Sequence, residues 1–458
     1  GGPARTLRAG LVALAVGVAF ADSSIVVIAL PRMLGDFDST IPAVAWVVTA
    51  YNLAVALLAF ALVPVVGRLS ATLITRVGLL LFTLACAGCA LAPDLAWLIA
   101  GRCVQGVGAA LLLAGAVPLL VAIAGSTGSG TRIWVVAAVV GAALGPALGG
   151  VLTQLADWRA IFIAQIPLAA AALLATGPLG RVATATHAPD GSPATERARV
   201  RWGAAGSLGA LSGALVGALF LAVVLVIDGW DNSPLLAALI VSTLPLAAIG
   251  GEVVARSASL SVAVAGGSLI MAGALVAMAL TLPRDPLYLA VTLALCGFGT
   301  GLAMPPLTRL TLVGPVPARA GSRSVGVRHA GLVVGLLLIA PLLAHQLSAV
   351  SERAIAVGAA HVIDAPLPLT TKIALADALQ VTVASTPPGA VPRLDDAVTV
   401  GSSDDGPQEA AARARLGETL QGLVAPAVTR AFRDAFLLCA LLGVLALVPV
   451  PLLRGARP

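Results

Sequence analysis

The chain predicts an all-α polytopic membrane fold built as two six-helix bundles, and three observations carry that prediction. Of its 458 residues, 59% are hydrophobic and only 10% are charged, with a mean hydropathy of +1.02. A soluble globule holds about a quarter charged residues, so this composition excludes one. Apolar runs of about 18 to 25 residues, rich in Ala, Leu, Val and Gly, follow one another about a dozen times, and that is the length an α-helix needs to cross roughly 30 Å of hydrocarbon. The sequence also repeats itself at a shift of 191 residues. Asp94 falls on Asp285, Trp97 on Tyr288, Leu98 on Leu289, Gly106 on Gly297 and Gly108 on Gly299 without a gap. The same register then sets Gly130, Thr131 and Arg132 on Gly321, Ser322 and Arg323. Matches in one ungapped frame over two helices and their connection mark two related halves.

Runs bounded by charge, Pro or Gly clusters place the spans of the first half at about 10–31, 43–66, 73–92, 97–124, 133–156 and 160–180. Those of the second half fall at about 203–227, 235–251, 261–282, 286–308, 325–345 and 432–453. The first span continues past Asp22 to Pro31 without a small-residue cleavage pattern, so it reads as a retained span and not a signal peptide. Shifted by 191, spans one to five land on spans seven to eleven, whereas the sixth lands well short of its partner, so residues 346–431 are an insertion between the last two helices. The resulting division is 1–180 for the first bundle, 181–202 for a linker, 203–345 for helices seven to eleven, 346–431 for the insertion and 432–458 for the last helix and tail. Pro and Gly punctuation in the insertion leaves room for two short helices, near 370–383 and 408–424. It reads either as a loop cap or as a docking element for substrate or an envelope partner.

Charge sets the expected topology. With the N-terminus in the cytoplasm, sixteen arginines fall on inside segments, from Arg5 and Arg8 through Arg68, Arg76, Arg319, Arg323 and Arg328 to Arg454 and Arg457, and the short outside loops carry three, Arg32, Arg159 and Arg284. The positive-inside rule then puts both termini in the cytoplasm and the insertion outside. These cations are scattered and never form a tract with interleaved aromatics, so no nucleic-acid partner is expected despite a pI near 9.6. All but Lys372 are Arg and Ala is abundant, the composition of a GC-rich bacterial gene, which puts the chain in a bacterial inner or plasma membrane. The five cysteines all lie in apolar runs; Cys86 and Cys89 spell C-x-x-C without a second pair or a nearby His, and neither a metal nor a disulfide is expected.

One residue conflicts with its surroundings. Asp22 sits near the middle of the apolar stretch Gly10–Leu30, where a carboxylate costs several kcal/mol unless it is paired, neutralised or wetted. Arg102 is the other charge well inside the first half, and Gln105, three residues on, shares its helix face. Asn52, Gln105, Gln165 and Tyr51 are polar candidates for lining a substrate pathway, or equally for bonding another helix. Gly141, Gly145, Gly149 and Gly150 form a groove for close helix approach, and Pro146 removes a backbone donor and permits a bend. His329, beside Arg328 at the expected cytoplasmic start of span eleven, reads as structural. Asp228, Glu252 and Asp285 fall at span ends and read as solvated.

Specific strings resemble the major facilitator superfamily, and within it the drug:proton antiporter branch related to the 14-helix multidrug exporters. Ala21-Asp22-Ser23-Ser24, ending in Ala29-Leu30-Pro31, is similar to that branch's first-helix motif, and Trp46-Val47-Val48-Thr49-Ala50-Tyr51-Asn52-Leu53 to its second-helix opening. Arg102-Cys103-Val104-Gln105-Gly106-Val107-Gly108 resembles the fourth-helix motif, and Gly141-x-x-x-Gly145-Pro146-x-x-Gly149-Gly150 the fifth-helix antiporter signature. Asp157-Trp158-Arg159, with Phe162 and Pro167, suits the sixth helix. The resemblance covers nearly all of 10–345, more strongly in the first half. It departs in two places. The gate loop runs Gly67-Arg68-Leu69-Ser70-Ala71 through to Arg76, with Ala71 where the family carries an acid. Twelve spans are countable instead of fourteen, although Ile227-Asp228-Gly229-Trp230-Asp231-Asn232-Ser233 resembles the branch's seventh-to-eighth connection.

The resemblance implies a major facilitator fold and no enzyme activity. It implies proton-coupled efflux of amphipathic or lipophilic drug-like molecules by alternating access, with Asp22 as proton carrier and Arg102 as its modulator. The proton gradient is the drive, no cofactor is implied, and a monomer is expected. Two other readings stay open: export of a lipid or envelope precursor, towards which the 4% aromatic content leans, and a non-transporting membrane partner or sensor, suggested by Ala71 and the large insertion.

Overall fold

The computed structural model describes residues 3–176, 182, 194–312, 316–385 and 407–453, all of its regular structure being helical. The first half comprises α1 (Pro3–Ile25), α2 (Leu30–Asp36), α3 (Ile41–Leu62), α4 (Ala71–Ala90), α5 (Leu95–Ala124), α6 (Thr127–Leu155) and α7 (Arg159–Thr176). The second comprises α8 (Ala194–Val224), α9 (Pro234–Ala255), α10 (Leu260–Thr281), α11 (Pro286–Leu312), α12 (Pro317–Asp364) and the closing α15 (Arg433–Leu445), with α13 (Leu369–Ser385) and α14 (Pro407–Ala431) between the last two. Among the described residues, 12 stretches are long and apolar enough to cross a membrane.

Local chemistry sets many of the boundaries. Thr40, Ser70, Asp94, Ser126 and Ser233 each accept a hydrogen bond from the backbone N–H three residues on, which satisfies a donor that the first turn leaves open. Gly125 ends α5 with φ of 80°, a left-handed conformation costly for any residue with a Cβ. α1 and α2 form one span, joined by a 3-10 turn at Val26–Ala29; Pro31 lies in the first turn of α2, where its missing N–H breaks no helical bond.

The repeat is visible as packing. α5 lies between α3 and α4, and α11 between α9 and α10. A Cβ on Gly106 would come 2.5 Å from the carbonyl oxygen of Tyr51 in α3, and one on Gly108 would come 2.6 Å from the nitrogen of Phe82 in α4. Their partners repeat this: Gly297 would meet Leu244 O of α9 at 1.9 Å and Gly299 would meet Gly267 O of α10 at 2.5 Å. Without a hydrophobic effect between helices in lipid, close backbone approach of this kind is what holds them together. The halves meet along two seams, α3 against α12 and α6 against α9.

Several boundaries move. α12 starts at Pro317, so the eleventh span begins about two turns earlier than hydropathy placed it, and the helix runs on to Asp364, straight through the expected edge of the insertion at 346. Val362 in its last turn and Ala365 and Leu367 just beyond it form a small separate core with Leu375, Leu379 and Leu416 of α13 and α14. The two helices of the insertion occur close to their expected positions, and α14 continues to Ala431, within two residues of the last span helix. The Pro–Gly punctuation of the insertion and most of the 181–202 linker lie outside the described residues, although α8 begins at Ala194, inside that linker.

Candidate functional site

Two arrangements lie side by side at the centre of the molecule: a polar cluster inside the first half and a cavity between the halves. The cluster assembles on Asp22. Its Oδ2 accepts from Arg102 Nη1 at 2.5 Å, and its Oδ1 from Gln105 Nε2 at 3.1 Å and Gln165 Nε2 at 3.0 Å. Arg102 Nη1 also reaches Gln105 Oε1 at 2.6 Å, and its Nε donates to the carbonyl of Val47 at 2.9 Å. The guanidinium lies 4.3 Å from the centre of the Tyr51 ring, whose hydroxyl donates to the carbonyl of Ala19 at 2.7 Å. Asp22 and Arg102 are fully buried. Taking two such charges out of water costs several kcal/mol for each, which close pairing and the two amide donors offset. Removing one partner alone leaves an uncompensated ion in a dry place.

Four helices supply this cluster: α1, α3, α5 and α7. The spacing of Arg102 and Gln105 puts both on the face of α5 that meets Asp22. The sequence offered Tyr51, Asn52, Gln105 and Gln165 as lining for a substrate pathway or as bonds between helices, and the structure takes the second alternative. Each is 5% exposed or less, and none is on the wall of the cavity. Gln105 and Gln165 donate to the Asp22 carboxylate, and Tyr51 meets Arg102 through its ring while its hydroxyl bonds Ala19, so all three enclose the pair.

Asn52 does a different job. Its amide nitrogen donates to the carbonyl of Val48 at 2.8 Å, which leaves its oxygen to accept from Ser23 Oγ at 3.0 Å and from His329 Nδ1 at 2.7 Å. His329 belongs to α12 in the other half. It lies three turns inside that helix and is 1% exposed, not at its solvated start. Ser23, the neighbour of Asp22, thus ends a short polar chain that crosses between the halves.

The cavity has an empty volume of about 1350 Å³ with its open mouth included, and α1, α6, α8, α9, α11 and α12 line it. Lengthwise it runs from mid-helix positions, Val27, Pro146, Leu219 and Leu244, towards the face that carries the N-terminus, where Trp134, Glu252, Thr308 and Ser324 stand. Most of the wall is aliphatic. Beside the cavity the antiporter-type glycines let α6 approach its neighbours closely: a Cβ on Gly141 would meet Gly17 O at 2.0 Å, on Gly145 Ser24 Oγ at 2.1 Å, on Gly149 Ile25 O at 2.5 Å, and on Gly150 Ala238 Cβ at 2.1 Å. Three of these glycines seat α6 on the first span, and the fourth seats it on α9 of the other half. Pro146 is on the cavity wall.

The loop between α3 and α4 forms the seam on the N-terminal face. A Cβ on Gly67 would lie 3.3 Å from Arg319 Nε, and Arg319 Nη2 donates to the carbonyl of Pro64 at 3.4 Å. Arg68 is exposed, and Arg76 donates to the carbonyl of Thr176 at 2.5 Å. Ala71 is fully buried, its N–H bonded to Val182 O at 2.9 Å, so the place of the family's acid is filled by packing.

Sequence reasoning missed the charged groups of the cavity. Arg328, expected at the cytoplasmic edge of a span begun at 325, sits eleven residues inside α12, which starts at Pro317, and stands on the cavity wall, its guanidinium 4.9 Å from the Phe20 ring centre. A charge that deep is the signal that singled out Asp22, and a better helix start would have shown it. Glu252, expected in solvent, is half-buried at the mouth, 3.4 Å from Arg256 and 3.9 Å from Arg309. Asp228 is half-buried in a π-helical turn, Leu225–Gly229, and Asp285 is exposed.

Comparison with known proteins agrees with this architecture. The family model described as Major Facilitator Superfamily matches residues 12–340. A methylenomycin A resistance protein of Bacillus subtilis is 36% identical over 169 residues, 36% of this chain and 36% of that protein. The multidrug resistance protein Stp of Mycobacterium tuberculosis is 35% identical over 180 residues, 38% of this chain and 33% of that protein. The matched stretches span about a third of the length of these curated relatives. A solved bacterial homologue of the human lysosomal transporter Spinster, in an inward-facing and unoccupied conformation, superposes with a TM-score of 0.65 at 16% identity, over 100% of this chain and 99% of that one. At that identity the likeness is one of fold.

Proposed function

Because the chain belongs to the Major Facilitator Superfamily, a superfamily of transporters and not of enzymes, we propose that it is a proton-coupled exporter of amphipathic or lipophilic small molecules working by alternating access. One observation carries the proposal: a fully buried carboxylate, Asp22, paired with Arg102 and adjoining Ser23 on the wall of a cavity between the halves. A carboxylate in hydrocarbon holds its charge only while its partners are in place. Rotation of one half against the other moves Ser23, Asn52 and His329, which lie between the cluster and the seam, and so ties protonation of Asp22 to cavity exposure. The names of the relatives, methylenomycin A and multidrug resistance, support an exported drug-like cargo.

In this reading the N-terminal face is cytoplasmic, as the arginine distribution favours, and the insertion faces outward, where it caps the transporter or receives an envelope partner. The membrane is a bacterial inner or plasma membrane, the unit is a monomer, and the proton gradient drives it without a cofactor.

The test uses inverted proteoliposomes with an acidic lumen. The wild type accumulates an amphipathic dye against its gradient, and Asp22→Asn abolishes accumulation while leaving downhill exchange. Accumulation unchanged in Asp22→Asn overturns the role of Asp22. Absence of flux across a chemically broad set of compounds favours a non-transporting membrane partner.

A further inference from the structure

The hydrogen-bonding groups on the cavity wall are unequally used. Ser23 bonds Asn52, Ser24 bonds the carbonyls of Ala21 and Ala142, Thr300 bonds Cys296 O, Thr308 bonds Met304 O, and Ser324 bonds Thr311. Glu252 is held by two arginines at the mouth. Two groups remain. The guanidinium of Arg328 has neither an ion-pair partner nor a hydrogen-bond acceptor among the described residues, and lies over the Phe20 ring at 4.9 Å. The indole Nε1–H of Trp134, a residue 2% exposed, likewise has no acceptor. Trp134 packs edge-on to the same Phe20 ring, with centroids 5.4 Å apart. Both residues line the cavity, and both hold donors unspent around one phenyl ring.

A half-buried guanidinium in an aliphatic chamber is costly, and a single cation–π contact offsets only part of that cost. An oxyanion offsets it best, because the planar fork of Arg matches a carboxylate or phosphate with two parallel bonds and the indole can add a third. A lipophilic cation meets the opposite field.

We propose that Arg328 and Trp134 form the head-group site of this cavity and that its cargo is an amphipathic anion, a carboxylate or phosphate head on an apolar body. This deepens the exporter reading and rests on it for the word cargo, but it is tested by binding alone. Purified protein in nanodiscs, without any gradient, is dialysed to equilibrium against three probes that share one apolar body: pyrenebutanoate, pyrenebutanol and pyrenebutyl trimethylammonium. Empty nanodiscs give the background.

Charge-assisted hydrogen bonds contribute about 1.5–3 kcal/mol, so the wild type should bind the carboxylate at least about tenfold more tightly than the alcohol, with the ammonium probe weakest. Arg328→Gln should bring the carboxylate down to the level of the alcohol and leave the alcohol unchanged; Arg328→Lys should keep part of the preference. Trp134→Phe should weaken the carboxylate by a few-fold, the size of one neutral hydrogen bond. Equal binding of carboxylate and alcohol by the wild type, a result that needs no variant to fold, overturns the site. So does a preference that survives in monodisperse Arg328→Gln. Displacement of pyrenebutanoate by lysophosphatidate supports the site with a lipid as source; carboxylate preference without displacement supports it with a soluble organic acid. If the preference holds while gradient-driven flux is absent, the exporter reading falls and the site stands; Asp22-dependent flux of cations with no anion preference has the reverse meaning.

Discussion

The two halves share a scaffold and differ in what they put at its centre. Adding 191 to Asp22, Arg102 and Gln105 gives Gly213, Leu293 and Cys296. Where the first half buries an ion pair with its amide donors, the second packs Leu293 and Cys296 fully out of solvent, and a Cβ on Gly213 would lie 2.9 Å from Gly331 O of α12. Glycine contacts hold both halves; the fully buried ion pair of the described residues lies in the first. The second half contributes its own cation, Arg328, to the cavity and not to its interior. Ionisable function is thus divided, with the candidate proton group enclosed in one bundle and the candidate cargo contact displayed by the other.

Substitutions break this comparison in graded ways. The largest effect is expected where the halves are alike: Gly297→Leu in the second or Gly141→Leu in the first forces side-chain atoms onto backbone 2.0 Å or less from the position of the first added carbon, and loss of the monodisperse peak in size-exclusion chromatography checks it. Next come the charges. Asp22→Ala or Arg102→Ala alone should destabilise by about 3–5 kcal/mol by leaving the other ion unpaired, seen as a lowered thermal midpoint. Asp22→Leu with Arg102→Met should recover most of that stability while gradient-driven flux stays absent, which separates the structural role of the pair from its functional one.

At the equivalent positions of the second half, Leu293→Met should cost less than about 1.5 kcal/mol, being close to volume-conserving, and should leave the pH dependence of flux unchanged. A larger effect there would mean the halves are not divided as described. The smallest change is expected at the seam. His329→Leu removes one hydrogen bond to Asn52 and should shift stability by about 1 kcal/mol. If it also changes the accessibility of a cysteine placed on the cavity wall, the Asn52–His329 bond holds the halves in this conformation.

How much of this could be read without coordinates varied with the kind of signal. The spans and the repeat were legible because lipid demands a long apolar helix and because duplication leaves an ungapped frame. Asp22 and Arg102 stood out because charge inside such helices is expensive. The same rule should have found Arg328, but a span begun at 325 puts that arginine three residues from its edge, where a cation reads as one that reaches water, whereas α12 starts at Pro317 and carries it eleven residues in. α12 running on to Asp364 was invisible for a related reason: the sequence from Ser351 to Asp364 is more polar than a span, and Val362 in its last turn is buried against Leu375, Leu379 and Leu416, which lie farther along the chain.

By itself the sequence determined the fold class, the two related halves, the helices that approach closely and the one acid that needs a partner, since each follows from local composition or from a spacing along the chain. Tertiary structure alone decided which polar residues serve that acid and which face the cavity. Tyr51 and Asn52 are adjacent and both buried, yet one stacks on Arg102 and the other bonds His329 across the seam. Neighbouring residues on a helix point about 100° apart, and what each one meets depends on helices brought together by packing from far along the chain.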